Sequence, residues 1–467
     1  MMSDQEEELE MIVDNNVKKL GQYFPPELSL FEEPPLLAAI STEEFVDYRP
    51  SSASLNAGSL DYIIPVSGTQ MVDLKSSRHH VKFKIVHASD GSDVNPLDEP
   101  MIGPINYIGC SMWDTIQLHI NQTMVTQSGG QNIPYRSIIE ALLDTGRFKK
   151  DTEMQAGLYM KDTAPFMEPD SNPNAGNLGF QKRAGYTAGS RTCPVVAPIT
   201  VDLAQQGRLI LNGVELGFRF FPGRPEFHLM LAADEPEEDG KKADKGGYRI
   251  EILEAFLRIK KKTLEPSVLL GMESTLRQTP ALYPVMRTEV RKFLIHRDQH
   301  SFTIDDVYQQ KIPSVLVLCL VNERASSGDI TKNPFNFIHC GLSDLSVTID
   351  DKNAGQPPMK MLFHGTNHLM SSYLDGFQSL YQQREGGGGE EDSSTYCDID
   401  RKDWATGYTL FKYVFNGSNT TFLPVITKGN LRITGNFSEP LKENTTLIAY
   451  ARFASIITID KSRRVTY

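Results

Sequence analysis

Apolar and polar positions alternate along most of this chain in runs too short for ordinary helices. Leu60–Pro65, Met71–Leu74, Val81–Val86, Thr115–Ile120, Val195–Leu203, Arg208–Leu211 and Glu215–Phe221 are strand-like, and several are rich in Val, Ile, Phe or Tyr. The longer run Tyr248–Lys262 alternates over Ile250 and Ile252, then Ala255, Leu257 and Ile259, with one slip that reads as a β-bulge. The same style resumes in Thr288–Ile295, Ser301–Ile304, Val315–Val321, Leu345–Ile349, Tyr408–Phe415, Asn430–Thr434 and Thr446–Ile459. Helical spacing is clear in Pro134–Leu143, where Ile138, Ile139, Leu142 and Leu143 share one face. Asn212-Gly213 predicts a two-residue hairpin between Arg208–Leu211 and the run after it. Many short strands, long loops and little helix predict an all-β chain. At about 200 residues per half, two eight-strand sandwiches fit, and the jelly roll is one way such sheets manage their edges.

The pattern also repeats. Pro104-Ile-Asn-Tyr-Ile-Gly-Cys-Ser-Met-Trp-Asp-Thr aligns without a gap to Pro334-Phe-Asn-Phe-Ile-His-Cys-Gly-Leu-Ser-Asp-Leu, with Pro104, Asn106, Ile108, Cys110 and Asp114 identical to Pro334, Asn336, Ile338, Cys340 and Asp344. Each copy follows an apolar run (Val81–Val86, Val315–Val321) and precedes another (Thr115–Ile120, Leu345–Ile349). A period near 230 residues is too long for a solenoid and predicts two related domains in tandem. The long runs Tyr248–Lys262 and Thr446–Ile459 would close the two halves. The expected division is an acidic N-terminal arm at 1–55, a first sandwich domain at 56–265 and a second at 266–467.

Charge sharpens the picture of the arm. The chain of 467 residues has a net charge of −12, and residues 1–50 carry twelve acidic and three basic residues, so −9 of it lies there. Double prolines at Pro25-Pro26 and Pro34-Pro35 break regular structure, and Glu8–Leu20 reads as one short amphipathic helix. This arm is expected to be disordered alone or to lie along a partner. The rest of the chain is nearly neutral, so phosphate-neutralising contact with nucleic acid is not expected. No apolar run reaches membrane-span length, and the N-terminus lacks the pattern of a signal peptide.

Candidate chemistry is sparse, and no catalytic, cofactor or metal residues are assigned. Five cysteines, at 110, 193, 319, 340 and 397, form no C-x-x-C pair and fit a reducing compartment. Cys110 and Cys340 lie in apolar stretches and read as small core residues. His296/His300 and His364/His368 have helical ligand spacing in strand or loop context and lack the glutamate of a zinc enzyme. His79-His80 reads as a solvent-facing strand start. Gly386–Gly389 lacks the Lys-Ser/Thr of a phosphate-binding loop; residues 234–247 can bury almost nothing and read as a surface loop, and the long loop at 385–394 carries no recognisable motif. Lys260-Lys-Lys and Arg463-Arg464 read as solvated strand ends, or as subunit salt bridges. Pro104-x-Asn106 and Pro334-x-Asn336 suit rigid turns, each asparagine bonding its own backbone two residues on.

Five stretches carry a family resemblance. In order they are Gly103-Pro-Ile-Asn-Tyr-Ile, Ile133-Pro-Tyr-Arg-Ser-Ile-Ile-Glu-Ala-Leu-Leu, Leu211-Asn-Gly-Val-Glu-Leu, Asn333-Pro-Phe-Asn-Phe-Ile-His and Tyr450-Ala-Arg-Phe-Ala-Ser-Ile-Ile-Thr-Ile-Asp. Together, over roughly 56–467, they resemble the major capsid proteins of Polinton (Maverick) elements and the hexon-like proteins of adintoviruses. The resemblance implies a double jelly roll, and a homotrimer of hexagonal outline in an icosahedral virion shell. Its partners would be neighbouring capsomers and penton or minor capsid proteins. A second reading is a tandem β-sandwich module that binds a glycan or protein ligand. A third, an enzyme on a jelly-roll scaffold, lacks its metal ligands.

Overall fold

The computed structural model describes residues 39–466, apart from 53, 57, 96–99, 127–129, 171, 173–175, 233–246, 355, 365–368, 373–374, 382–396 and 416–427. In the first half the main strands are β1 (Ile40–Tyr48), β2 (Leu60–Val66), β3 (Gln70–His87), β4 (Trp113–Ile120), β5 (Thr123–Met124), β6 (Cys193–Pro198), β7 (Val214–Pro222) and β8 (Tyr248–Leu264). They form two antiparallel sheets, β1-β8-β3-β6 and β2-β7-β4-β5. In the second half they are β9 (Ala281–Ile295), β10 (Ser301–Ile304), β11 (Val315–Asn322), β12 (Leu342–Ile349), β13 (Lys352–Asn353), β14 (Leu410–Val414), β15 (Leu431–Phe437) and β16 (Thr445–Ile459). Their sheets run β9-β16-β11-β14 and β10-β15-β12-β13.

Adding eight to each strand of the first half gives the order of the second, and both are jelly-roll orders. The duplicated stretch is thus the link from the third to the fourth strand of each sandwich. Cys110 lies three residues before β4, on the short helix Ile108–Ser111, and Cys340 two residues before β12, in a turn at φ 51°. The long runs that close each half are the equivalent strands β8 and β16. The bulge expected in β8 is present at Ile252/Glu254, with a second at Arg258/Lys260.

Among the described residues the helices of ten or more residues are α1 (Ile133–Asp144), α2 (Leu178–Thr187) and α3 (Pro266–Leu276). α1 contains the run with helical spacing. α3 links the sandwiches.

Core formation follows parity in the first half. Leu60, Tyr62, Ile64 and Val66 point inward from β2, as do Val81, Phe83 and Ile85 from β3. β11 differs, because its apolar run is buried on both faces. The first part of β16, Thr445–Ala451, is likewise fully buried. A strand covered on both sides reads as a continuous apolar run, whereas a strand with one wet face alternates.

Four expectations are corrected. The arm predicted over 1–55 does not stay an arm: Ile40–Tyr48 is the edge strand β1, in register with β8. Its acidic residues answer basic ones across the pair. Glu43 lies 2.7 Å from Lys260 and 3.0 Å from Lys262, and Asp47 forks onto Arg258 at 2.7 and 2.8 Å. The lysines read as solvated ends are therefore cross-strand partners, and Lys261 turns inward to the Pro65 carbonyl at 3.1 Å. The remaining arm, with its expected helix, lies outside the described residues.

The hairpin at Asn212-Gly213 is not formed. Gly213 has φ +72°, as the dipeptide suggests, but Ile210 bridges to Val72 in one sheet while β7 pairs with β2 and β4 in the other. The turn carries the chain between sheets. Finally, His79 is no solvent-facing strand start. β3 begins nine residues earlier, so His79 shares the inward parity of Val81 and Phe83 and is buried.

Candidate functional site: the seam between the two sandwiches

α1 begins at Asn132, which has φ 53° and donates from Nδ2 to the Val290 carbonyl on β9. The helix therefore lies against the second sandwich, although its sequence belongs to the first. Ile138, Ile139 and Leu142 are buried, and Arg136, Glu140 and Asp144, four residues apart, form a polar row. Arg136 is 1% exposed; its Nε lies 3.0 Å from Glu140 and its guanidinium 2.7 Å from Asp202. Glu140 accepts from the Tyr450 hydroxyl of β16 at 3.1 Å, and Asp144 pairs with Arg452. Asp202 also accepts from the Thr288 amide of β9. Burial pushes the Asp202 carboxyl up while Arg136 pulls it down. Burial disfavours the Arg136 charge, yet Glu140 and Asp202 keep it firmly protonated. This network joins α1 and Asp202 to β9 and β16 of the β9-β16-β11-β14 sheet.

A second polar cluster ties the loop after α1 to the second half. Arg183 of α2 is fully buried, donating to the Pro104 carbonyl at 3.0 Å, the Met160 carbonyl at 2.8 Å and Asp162 at 2.8 Å. Asp162 in turn accepts from Asn333 at 3.1 Å, and its carbonyl accepts from the Tyr408 hydroxyl at 2.7 Å. Glu168 accepts from the Asn333 amide at 2.7 Å and from Asn336 Nδ2 at 2.9 Å. Burial raises the Glu168 carboxyl above its usual range, and the two asparagine donors pull the other way. Lys161 pairs with Asp403 at 2.8 Å, and Lys150 pairs with Asp398.

Both copies of the Pro-x-Asn motif meet on this loop. Asn106 Oδ1 accepts from the Met160 amide at 2.9 Å, and Asn336 reaches Glu168 eight residues further on. Neither makes the turn bond expected of it. Asn333 does, accepting from the Phe335 amide at 2.9 Å. Each copy of the motif thus holds the same segment, one at Met160 and the other at Glu168. Asp162, Glu168 and Arg183 carry no spacing signal, since each partner is remote in sequence.

The other candidate residues do not converge. Among the described residues no group of three or more His, Cys, Asp or Glu could hold a metal. His296 and His300 are exposed in the turn between β9 and β10, and His368 lies outside the described residues with Gly386–Gly389. Burial pushes the Cys110 thiol up to about 11 and the Cys340 thiol up to about 12. No described helix is long and apolar enough to cross a membrane.

Comparison with known proteins bears on this arrangement. No protein-family model matches the chain. An uncharacterised Caenorhabditis elegans protein, F54H12.2, is 22% identical over 415 residues, covering 87% of this chain and 92% of its own. A chain of the Sputnik virophage structure is similar with a TM-score of 0.60 at 12% identity, over 95% of this chain and 92% of that one. The Faustovirus major capsid protein gives 0.53 at 10% identity, over 93% of each chain. The mavirus major capsid protein gives 0.50 at 11% identity, over 95% and 93%. With its two sandwiches of identical strand order, the chain has the double jelly-roll fold seen in these viral capsid proteins.

Proposed function

We propose that this chain is a major capsid protein, acting by assembly and not by catalysis. Three copies form a pseudo-hexameric trimer, because two sandwiches per chain and three chains give six similar lobes. Such trimers tile the sixfold positions of an icosahedral shell, where closed symmetry restricts contacts to repeated, self-compatible ones. The observation that carries this reading is the end-to-end likeness to viral capsid chains combined with the identical strand order of the halves. The working division places the sandwiches on either side of Glu265, with the first beginning at β1 rather than at 56. The nearest biological setting is a Polinton-like element or adintovirus, supported by the five motifs and by a relative of similar length in Caenorhabditis elegans. Penton or minor capsid proteins complete the shell, after synthesis in the host nucleus or cytoplasm.

Light scattering and negative-stain microscopy of the purified chain test this. Hexagonal trimers or capsomer arrays are the expected result. A monomer that binds a glycan would instead favour a tandem binding module.

A further inference from the structure

Where β4 begins, β7 ends and β9 passes, a cleft of about 390 Å³ opens between the two halves. Asp114, Arg224 and Lys292 line it; among the described residues none of the three is in ion-pair contact, and Lys292 feels the Asp114 and Arg224 charges across the space. Lys292 Nζ sits 4.8 Å from the centre of the Tyr135 ring and 5.7 Å from that of Phe227. Tyr135 and His228 also line the cleft, and both are buried, at 0% and 3% exposure. Among the described residues neither the Tyr135 hydroxyl nor His228 Nε2 has a hydrogen-bond partner.

Buried polar atoms without partners are rare and call for an occupant. Ordered water satisfies such atoms in an uncharged cavity. Here two cations face the same space without a matching pair of anions. The combination suits a ligand with several acceptor oxygens. The single carboxylate, Asp114, adds a requirement, because a bare oxyanion is repelled by it. A ligand that also donates one hydrogen bond is not.

We propose that this cleft binds a protonated phosphate group, either hydrogen phosphate or a phosphate monoester. Lys292 and Arg224 hold its oxygens through charge-assisted hydrogen bonds, the Tyr135 hydroxyl donates to a third, and Asp114 accepts from the P–OH. Because residues of both sandwiches line the cleft, the bound group links them. The proposal does not depend on the assembly reading.

The test uses the full chain at pH 7 and constant ionic strength, with sodium phosphate and sodium sulfate as probes and titration calorimetry and thermal unfolding as readouts. Sulfate carries no proton at this pH. Phosphate should bind saturably and raise the melting temperature, with sulfate about tenfold weaker or worse, the factor set by one unsatisfied hydrogen bond. Tyr135→Phe and Lys292→Met should weaken phosphate binding, and Asp114→Asn should abolish the preference over sulfate. Tyr135→Phe keeps the ring packing, so it remains informative if the lysine variant misfolds. Absence of saturable phosphate binding, equal binding of sulfate by the unaltered chain, or unchanged binding by Tyr135→Phe would each overturn the proposal.

Discussion

His79 shows how one side chain answers to the whole sandwich. Its Nε2 lies 3.0 Å from the Tyr62 hydroxyl, and its ring packs on Phe220 and Trp113 at centroid distances of 4.4 and 5.3 Å. Burial pushes its pKa down to about 3, and that of His228 likewise. Below pH 6.5 the unfolded chain takes up protons that the folded chain refuses. The stability is therefore present above pH 6.5 and is lost as pH falls toward 3, by up to about 1.4 kcal/mol per pH unit for each imidazole. Glu168 and Asp202, raised by burial, work in the opposite direction, but equally in any variant that keeps them. Between pH 7.5 and 4.5 the unaltered chain should lose more stability than His79→Gln in urea unfolding. Parallel losses would show that the imidazole is not held neutral in the core.

Among elements, the turn at Gly213 and the seam loop make separate demands. At φ +72° a side chain is strained, and a Cβ on Gly213 would stand 3.0 Å from Arg463 Nε. Gly213→Val should cost about 1 kcal/mol or more, and Gly213→Asn less, because asparagine tolerates this region. Equal melting temperatures for the two variants would contradict the strain. Asn333 is fully buried with bonds to Asp162, Glu168, Met167 and Phe335, spanning both halves. Asn333→Ala leaves several of these groups buried and unpaired, at a cost on the order of 3 kcal/mol. Denaturant unfolding monitored by Trp113 and Trp404, which report on different halves, should show both transitions moving. A shift confined to Trp404 would mean the seam does not couple the sandwiches.

At the scale of the molecule, assembly is the property to perturb. Residues 1–38 hold Leu28, Leu30, Phe31, Leu36 and Leu37 among acidic residues, more apolar groups than a freely solvated tail needs. Removing residues 2–50 would take away β1, so the informative deletion stops at residue 38. That variant should keep both sandwiches folded and still form trimers, yet yield fewer closed particles when co-expressed with its partner capsid proteins. Particle counts in a density gradient equal to those of the full chain would rule out a role for the segment in closure.

Much of the fold was legible because it is written in local periodicity and in repetition. Period-two alternation located most strands, helical spacing located α1, and the gapless match of Pro104–Thr115 to Pro334–Leu345 announced two related sandwiches. Even the buried His79 was readable, from its shared parity with Val81, Phe83 and Ile85. The sequence alone determined strand character, the duplication and the positive φ at Gly213, because each depends on neighbouring residues. Tertiary structure decided that Glu43 and Asp47 belong to an edge strand, that the run after Gly213 pairs with β2, and that Asn106 and Asn336 grip one loop. The physical reason is that these outcomes rest on partners roughly fifty to more than two hundred residues away, such as Lys260 for Glu43 and Glu168 for Asn336, which no local pattern encodes.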